Sequence, residues 1–434
     1  MSVALVRHLR RLDPRLPREV WLLQLGGVVN WFGTGVVIPF LFIYMHNVKG
    51  FSNTIAGLVI AANGLFQLGA TLGSGWAVDH LGGKRMLAGS LIVQAVAVST
   101  LPLVEEPWQA VLAMGFYGVG TSAFWPSQST MLVGLTPAER RHAAYAQQRV
   151  SMHLGLGIGG IVGGLVANVS DPESFTRLFG LDAITFIAFV AVLRFISDPP
   201  RHVGARSGTT GSYVQVFRHR LFMALVSVTF LLVVVGYSMV ELLPAFAKNY
   251  SDVGERSIGA IFLVYTLSIV LFSLPLSRLL EGKRRMRAVA AIPVVWAIGW
   301  MIVFLGAMTL RSTPAALAFG AGMILVGLGA SLQGPALGSL NAELARPEAR
   351  GRYFAVVSMA WGCGLTIGPA LGGRLLDLAP LAMWPLAAAL CLLIAMWALA
   401  LERAVPEHLQ RVPLDVVEER RARGDVATAS SSPQ

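Results

Sequence analysis

The sequence predicts an all-α polytopic membrane protein, with twelve transmembrane helices in two pseudo-symmetric six-helix bundles. Three observations predict it: a composition too apolar for water, a series of long segments without charge, and an internal repeat. Of 434 residues, 55% are apolar and 13% charged, about half the charged share of an ordinary soluble domain. No soluble surface of that composition stays hydrated.

A helix needs about 20 apolar residues to cross roughly 30 Å of hydrocarbon. Stretches free of Asp, Glu, Lys and Arg cover residues 20–48, 52–78, 86–104, 107–138 and 150–170. Residues 178–193 follow, interrupted only by Asp182, and 221–247, interrupted only by Glu241. The series closes with 257–277, 288–310, 312–342, 353–373 and 378–401. Lipid offers backbone amides no partner, and runs this long without alternation favour helices over a barrel.

The ends of these runs set the organisation. Residues 1–19 hold no apolar core and are expected to be a basic cytoplasmic arm rather than a cleavable signal peptide. Residues 20–196 form the first bundle, 197–220 a polar central loop, 221–402 the second bundle, and 403–434 a partly disordered cytoplasmic tail. An even number of spans puts both termini on one side. With that side inside, 28 basic residues fall inside and six outside: Lys49, Arg177, Lys248, Arg256, Arg311 and Arg374. This split orients the chain by the positive-inside rule, with both termini in the cytoplasm and the protein in the inner membrane. The net charge of +11 is thereby explained without nucleic acid. Cys363 and Cys391 lie within apolar runs and suggest neither a disulfide framework nor a metal site.

The repeat aligns Gly82 to Met86 with Gly282 to Met286, a shift of 200. A shift of 209 carries Gly118 and Gly120 onto Gly327 and Gly329, and Gly155, Gly159, Gly163 and Gly164 onto Gly364, Gly368, Gly372 and Gly373. A constant shift across two spans points to duplicated halves related by an axis along the membrane normal.

The segment from Gly75 to Arg85, GWAVDHLGGKR, resembles the loop 2–3 signature of the major facilitator superfamily, with Gly75, Asp79, Gly82, Lys84 and Arg85 at its positions. The glycine ladders, together with Pro369, resemble that family's helix 5 motif and its repeat in helix 11. His80 and Gly83 stand where the family usually has basic residues, Gly160 where it has proline, and Met114 where proton-coupled exporters carry arginine. Sugar-porter and peptide-porter signatures are absent. The resemblance is to bacterial drug-exporter-type members, and implies alternating access by rocking of the two halves.

Ionisable groups at membrane depth are the first candidates for chemistry, because their burial costs at least ~2.5–3.5 kcal/mol. Glu241, three residues before Pro244, is a candidate proton-coupling group, with pairing to Lys248 or Arg256 as the structural alternative. Arg149 and His153 share a face of helix 5 turned about 100° from the glycine ladder, a placement that leaves them free to face a central cavity. Arg149 is a candidate for the charge missing at Met114, and His153 a second candidate for proton coupling. Asp182 reads as an interfacial acid near the outer face. Asp79 reads as a conformational latch at the inner surface. Asn30, Thr34, Asn63, Gln67, Tyr117, Gln128, Tyr237, Tyr265, Gln333 and Trp361 are the polar and aromatic candidates for a substrate cavity. So few charges suit an amphipathic or aromatic organic compound better than a phosphate.

No phosphate-binding loop or metal-ligand spacing is present, so the reading includes no cofactor and no enzyme activity. The expectation is a monomeric proton-driven exporter of a small organic compound, in contact with the lipid bilayer. A solute importer or proton symporter on the same fold is its rival.

Overall fold

The computed structural model describes residues 16–137, 140–198, 213–346 and 350–411. The expectations for the N-terminal arm, most of the central loop and most of the tail fall outside these residues. Twelve long helices follow in order: α1 Arg18–Val48, α2 Asn53–Leu81, α3 Gly83–Thr100, α4 Pro107–Leu135, α5 Arg141–Val166 and α6 Pro172–Leu193. The second half comprises α7 Arg220–Ser251, α8 Glu255–Leu280, α9 Arg285–Thr309, α10 Ser312–Leu344, α11 Arg350–Leu378 and α12 Met383–Leu401. The chain is a multi-pass α-helical membrane protein.

Eleven of the twelve are long and apolar enough to cross a bilayer by composition alone. The exception is α4, which is 29 residues long and carries no charge but is rich in Gly, Ser, Trp and Gln. It packs against α2 and α3, so much of its surface meets protein and need not be lipophilic.

Local sequence explains the helix limits. Ser52 accepts the Ile55 amide at the start of α2, and Glu106 with Gln109 forms a capping box at the start of α4. Between α2 and α3 the chain turns within one residue, Gly82, at φ 89°. Its repeat partner Gly282 has φ 71°. Both turns need a conformation that other residues adopt only at a cost, so the loop glycines recur in both halves for a backbone reason.

Packing follows the repeat closely. Gly155, Gly159 and Gly163 of α5 lie directly on α1, at Val28, Phe32 and Val36. Their counterparts Gly364, Gly368 and Gly372 of α11 lie on α7, at Val233, Ser238 and Leu242. Gly118 of α4 meets Asn63 of α2, and Gly327 of α10 meets Tyr265 of α8. Gly164 lies on a different face of α5 from the ladder. With Gly157 and Gly160 it packs against α8 of the other half, at Glu255, Phe262 and Thr266. Gly373 and Pro369 do the same for α11 against Asn53 and Gly57 of α2. These two crossings, α5 with α8 and α2 with α11, are the main joints between the halves.

The halves differ where charges are involved. Arg285, at the repeat position of exposed Arg85, is fully buried and holds Glu343 of α10 through two bonds of 2.9 and 2.6 Å. Arg284 beside it pairs with Glu402 at 2.7 Å. In the first half, Lys84 instead donates to the Ile196 carbonyl at 2.6 Å.

Adding a side chain at a backbone crossing should therefore unsettle the whole half. Gly159→Leu, whose Cβ would overlap the Phe32 carbonyl, is expected to destabilise by ~2 kcal/mol or more. Gly89→Leu on α3, where a Cβ meets open space, should stay within ~0.5 kcal/mol. Thermal unfolding in detergent, followed by tryptophan fluorescence, checks both.

Candidate functional site

The halves are sealed at the end away from Arg18 and Leu401. Asp377 at the end of α11 accepts four hydrogen bonds from the start of α2: two at Oδ1 from Asn53 (3.1 and 2.9 Å) and two at Oδ2 from Thr54 (2.8 and 2.5 Å). Asn47 at the end of α1 donates to Asn249 near the end of α7 at 2.6 Å. Glu255 at the start of α8 pairs with Lys248 at 2.9 Å and accepts the Val169 amide at 3.5 Å. Lys248 thus serves the seal and leaves Glu241 alone.

Toward the terminal side the same crossings come apart. The α2 face that touches α11 at Gly57, Gly64 and Leu68 continues to Gly75, which meets nothing. The α5 face that touches α8 at Gly164, Gly160 and Gly157 continues to His153 and Arg149. Arg149 is exposed and has no hydrogen bond or ion pair among the described residues. Its Nη1 reaches across to α10, 2.8 Å from where a Cβ of Gly334 would stand. The Nδ1 atom of His153 is buried and unpartnered.

Two π-helical turns face each other in the second half. One, Val233–Tyr237, interrupts α7, and the other, Gly334–Gly338, interrupts α10. Such single turns mark functional sites often. Here they present Tyr237 and Gln333, and the Tyr237 hydroxyl donates to Gln333 Oε1 at 2.6 Å. The Trp361 ring leans on Tyr237 with centroids 4.7 Å apart. One turn further along α7 stands Glu241, whose Oε2 is buried without a partner. Tyr265 of α8 is buried within electrostatic reach of Tyr237, Glu241 and Arg149. Beyond Glu241, toward the seal, Val240, Pro244, Phe262 and Met323 leave about 10 Å³, no more than one water needs.

The structure thus brings Arg149, Tyr237, Glu241, Tyr265, Gln333 and Trp361 into one region. The remaining cavity candidates lie elsewhere in the first half. Asn30 and Thr34 are buried along α1, with the Thr34 hydroxyl bonded back to the Asn30 carbonyl at 3.1 Å. Gln128 is buried and accepts from Gln148 at 2.7 Å, an interhelical partner that lay outside the charge-free run. Asn63 has an unpartnered Oδ1, and the Gln67 carbonyl accepts from Thr71. Tyr117 stands near Thr34. Gly82, Lys84 and Arg85 form the α2–α3 turn and Gly75 lies within α2, while the Asp79 side chain lies outside the description.

Asp182 requires a correction. The sequence suggested an interfacial acid, because charges at Glu173 and Arg177 placed the start of the span at residue 178. The helix instead starts at Pro172, a residue favoured at the first helical position. Asp182 therefore stands in mid-helix, 1% exposed, with Oδ1 unpartnered.

Comparison with known proteins places this geometry. The family model described as Major Facilitator Superfamily matches residues 23–302 and 242–427. The chain belongs to the major facilitator superfamily. Among curated relatives, an MFS-type transporter of Bacillus subtilis, YttB, is 25% identical over 83% of this chain and 89% of its own. The multidrug resistance protein MdtH of Cronobacter sakazakii is 24% identical over 82% of this chain and 86% of its own. Among solved structures, a POT family transporter in complex with 5-aminolevulinic acid superposes with a TM-score of 0.74 at 14% identity, covering 89% of this chain and 96% of that one. The nucleoside transporter NupG gives 0.72 at 14%, covering 88% and 99%. These likenesses establish the fold. The protein is a membrane transporter of this superfamily, related to multidrug-resistance members.

The seal yields a direct prediction. Asp377→Asn puts an amide NH₂ where an acceptor stood, so at least one pair of bonds to α2 is lost. A cysteine at Ala56, buried beneath the seal, should then be alkylated about tenfold faster, the effect of ~1.4 kcal/mol. An unchanged rate in a folded protein would show that Asp377 does not hold this mouth shut.

Proposed function

We propose that the protein is a proton-driven exporter of a small apolar or aromatic organic compound, placed in the inner membrane with both termini in the cytoplasm. The observation that carries this reading is Glu241: an acid within α7 with a buried, unpartnered oxygen, one turn from a Tyr237–Trp361 aromatic platform. An unpaired charge in such a place costs several kcal/mol, so an acid that passes between dry and wet settings exchanges a proton as it does so. The aromatic pair offers flat apolar surface to a solute, while Tyr237, Gln333 and Arg149 supply a few directional contacts. MdtH is named as a multidrug resistance protein, which supports export over import. In this orientation the open mouth faces the cytoplasm, where an exporter collects its load.

Orientation is tested by labelling single cysteines in intact cells. Positions 49, 177 and 311 should react with an impermeant maleimide. Positions 207 and 430 should stay protected, and labelling there would reverse the topology.

Coupling is tested in proteoliposomes with a fluorescent aromatic cation as the transported probe. Glu241→Gln fixes the neutral state, so the probe should still bind while an imposed pH gradient no longer drives uphill movement. If proton and solute compete, wild-type binding weakens as pH falls through the titration of Glu241, and the glutamine variant gives a flat profile. Gradient-driven transport kept in Glu241→Gln but lost in His153→Asn would move the coupling site to α5. Accumulation of probe along the gradient of proton entry, rather than against it, would make the protein a symporter.

A further inference from the structure

The scheme above leaves one intramembrane acid unused. Asp182 lies ten residues into α6, about 15 Å along the helix, and is 1% exposed. Its Oδ1 has no hydrogen-bond partner, and the Thr185 hydroxyl beside it donates to the Asp182 backbone carbonyl. Across from it on α1 is Gly33, where a Cβ would come within 2.5 Å of Oδ1. The place that a side chain on residue 33 would take is filled by the Thr185 hydroxyl and the Asp182 carboxyl.

The neighbours are all neutral. From α1 comes Thr34, whose hydroxyl is bonded to the Asn30 carbonyl. From α4 comes Tyr117, near enough to interact with both Thr34 and Asp182, with its ring edge-on to Phe186 of α6 at 6.1 Å. The basic residues of α3, which also packs on α6, sit at its first turn, with Lys84 bonded to Ile196 and Arg85 exposed. No cation pairs with Asp182 among the described residues. A carboxylate charge buried mid-membrane without a cation is costly. A purely structural polar group would be expected to have its hydrogen bonds completed, and this one does not. Tyr117 is thus the titratable side chain beside the acid from α4.

We propose that Asp182 is a second proton-binding site, housed in the first half and reached through the Tyr117 hydroxyl. The proposal rests on the reading of the protein as proton-coupled and adds a second carrier to Glu241. Asp182 takes up one proton in the form open at the opposite mouth; the neutral acid so formed favours the form described here, from which the proton later leaves toward the cytoplasm. No other bond changes. Falling pH therefore favours the form sealed at Asp377, and rising pH favours its opening.

Spin labels on cysteines at Lys49 and Arg256, on opposite halves at the sealed mouth, report the opening as a distance distribution in lipid nanodiscs between pH 5 and 9. In the wild type the long-distance population should grow with pH in two steps. Asp182→Asn should remove one step, Glu241→Gln the other, and the double variant should be flat. An Asp182→Asn profile equal to the wild type overturns the Asp182 site and leaves coupling through Glu241 standing. A wild type without any pH response removes the coupling reading and this proposal with it. Should Asp182→Asn fail to fold, Tyr117→Phe keeps the carboxyl and must shift one midpoint by about one pH unit, a tenfold change in proton affinity. An unshifted midpoint in Tyr117→Phe overturns the proposal.

Discussion

In lipid no hydrophobic force draws one helix toward another, because the tails are as apolar as leucine. What holds such helices together is how near two backbones can come. Here glycine sets that nearness where α5 crosses α1 and α8, where α11 crosses α7 and α2, and where α4 crosses α2. Gly155, Gly159 and Gly163 bring α5 onto α1, and Gly157, Gly160 and Gly164 on a second face bring it onto α8. A single helix thus joins its own half with one stripe and the opposite half with another. The site exists because the second stripe stops. Past Gly157 the positions on that face are His153 and Arg149, too large for a crossing, and the two halves part there.

The repeat conserves this scaffold and leaves the chemistry free. Gly118 and Gly327 make equivalent crossings, yet the residue beneath one is Asn63 and beneath the other Tyr265. The second half gathers an aromatic platform at two π-turns, whereas the first half buries an acid at Asp182 against Gly33. Charge pairing diverges in the same way, with Arg285 locked to Glu343 where Arg85 is free. Duplication supplied two equal frames, and the polar residues set in them differ between the halves.

Much of this was legible in the sequence for physical reasons. Charge-free length fixes the number of helices, since hydrocarbon tolerates little else. The 100° offset between the α5 ladder and Arg149 is helix arithmetic, and the same arithmetic separates the α1 face from the α8 face. Three features were not legible. Asp182 was misplaced because a charge-free run ends at the first charge, whereas a helix ends where its backbone bonds end, and Pro172 was the overlooked mark. Asp377 and Glu255 carried no signal, because a helix-end acid looks alike whether it faces water or caps a helix of the other half. The ten polar cavity candidates scattered because sequence gives the face of each helix but not which faces meet. Tyr237 and Gln333 come together through two π-turns that no spacing rule announces.

The seal at Asp377 has an energetic consequence. Its bonds run to amides and hydroxyls that water serves nearly as well, so each is worth ~0.5–1.5 kcal/mol net, and up to ~3 where the charge contributes. Four such bonds, with the Asn47–Asn249 contact, amount to a bias of a few kcal/mol. Moving a two-state molecule from 1:99 to 99:1 takes about 5.5 kcal/mol, so the closed mouth is held at a depth of the same order as such a shift. A seal of tightly packed leucine would have been too deep to reverse on each turnover. Hydrogen bonds to replaceable partners keep the two shapes of the molecule nearly level, so a modest push in either direction decides between them.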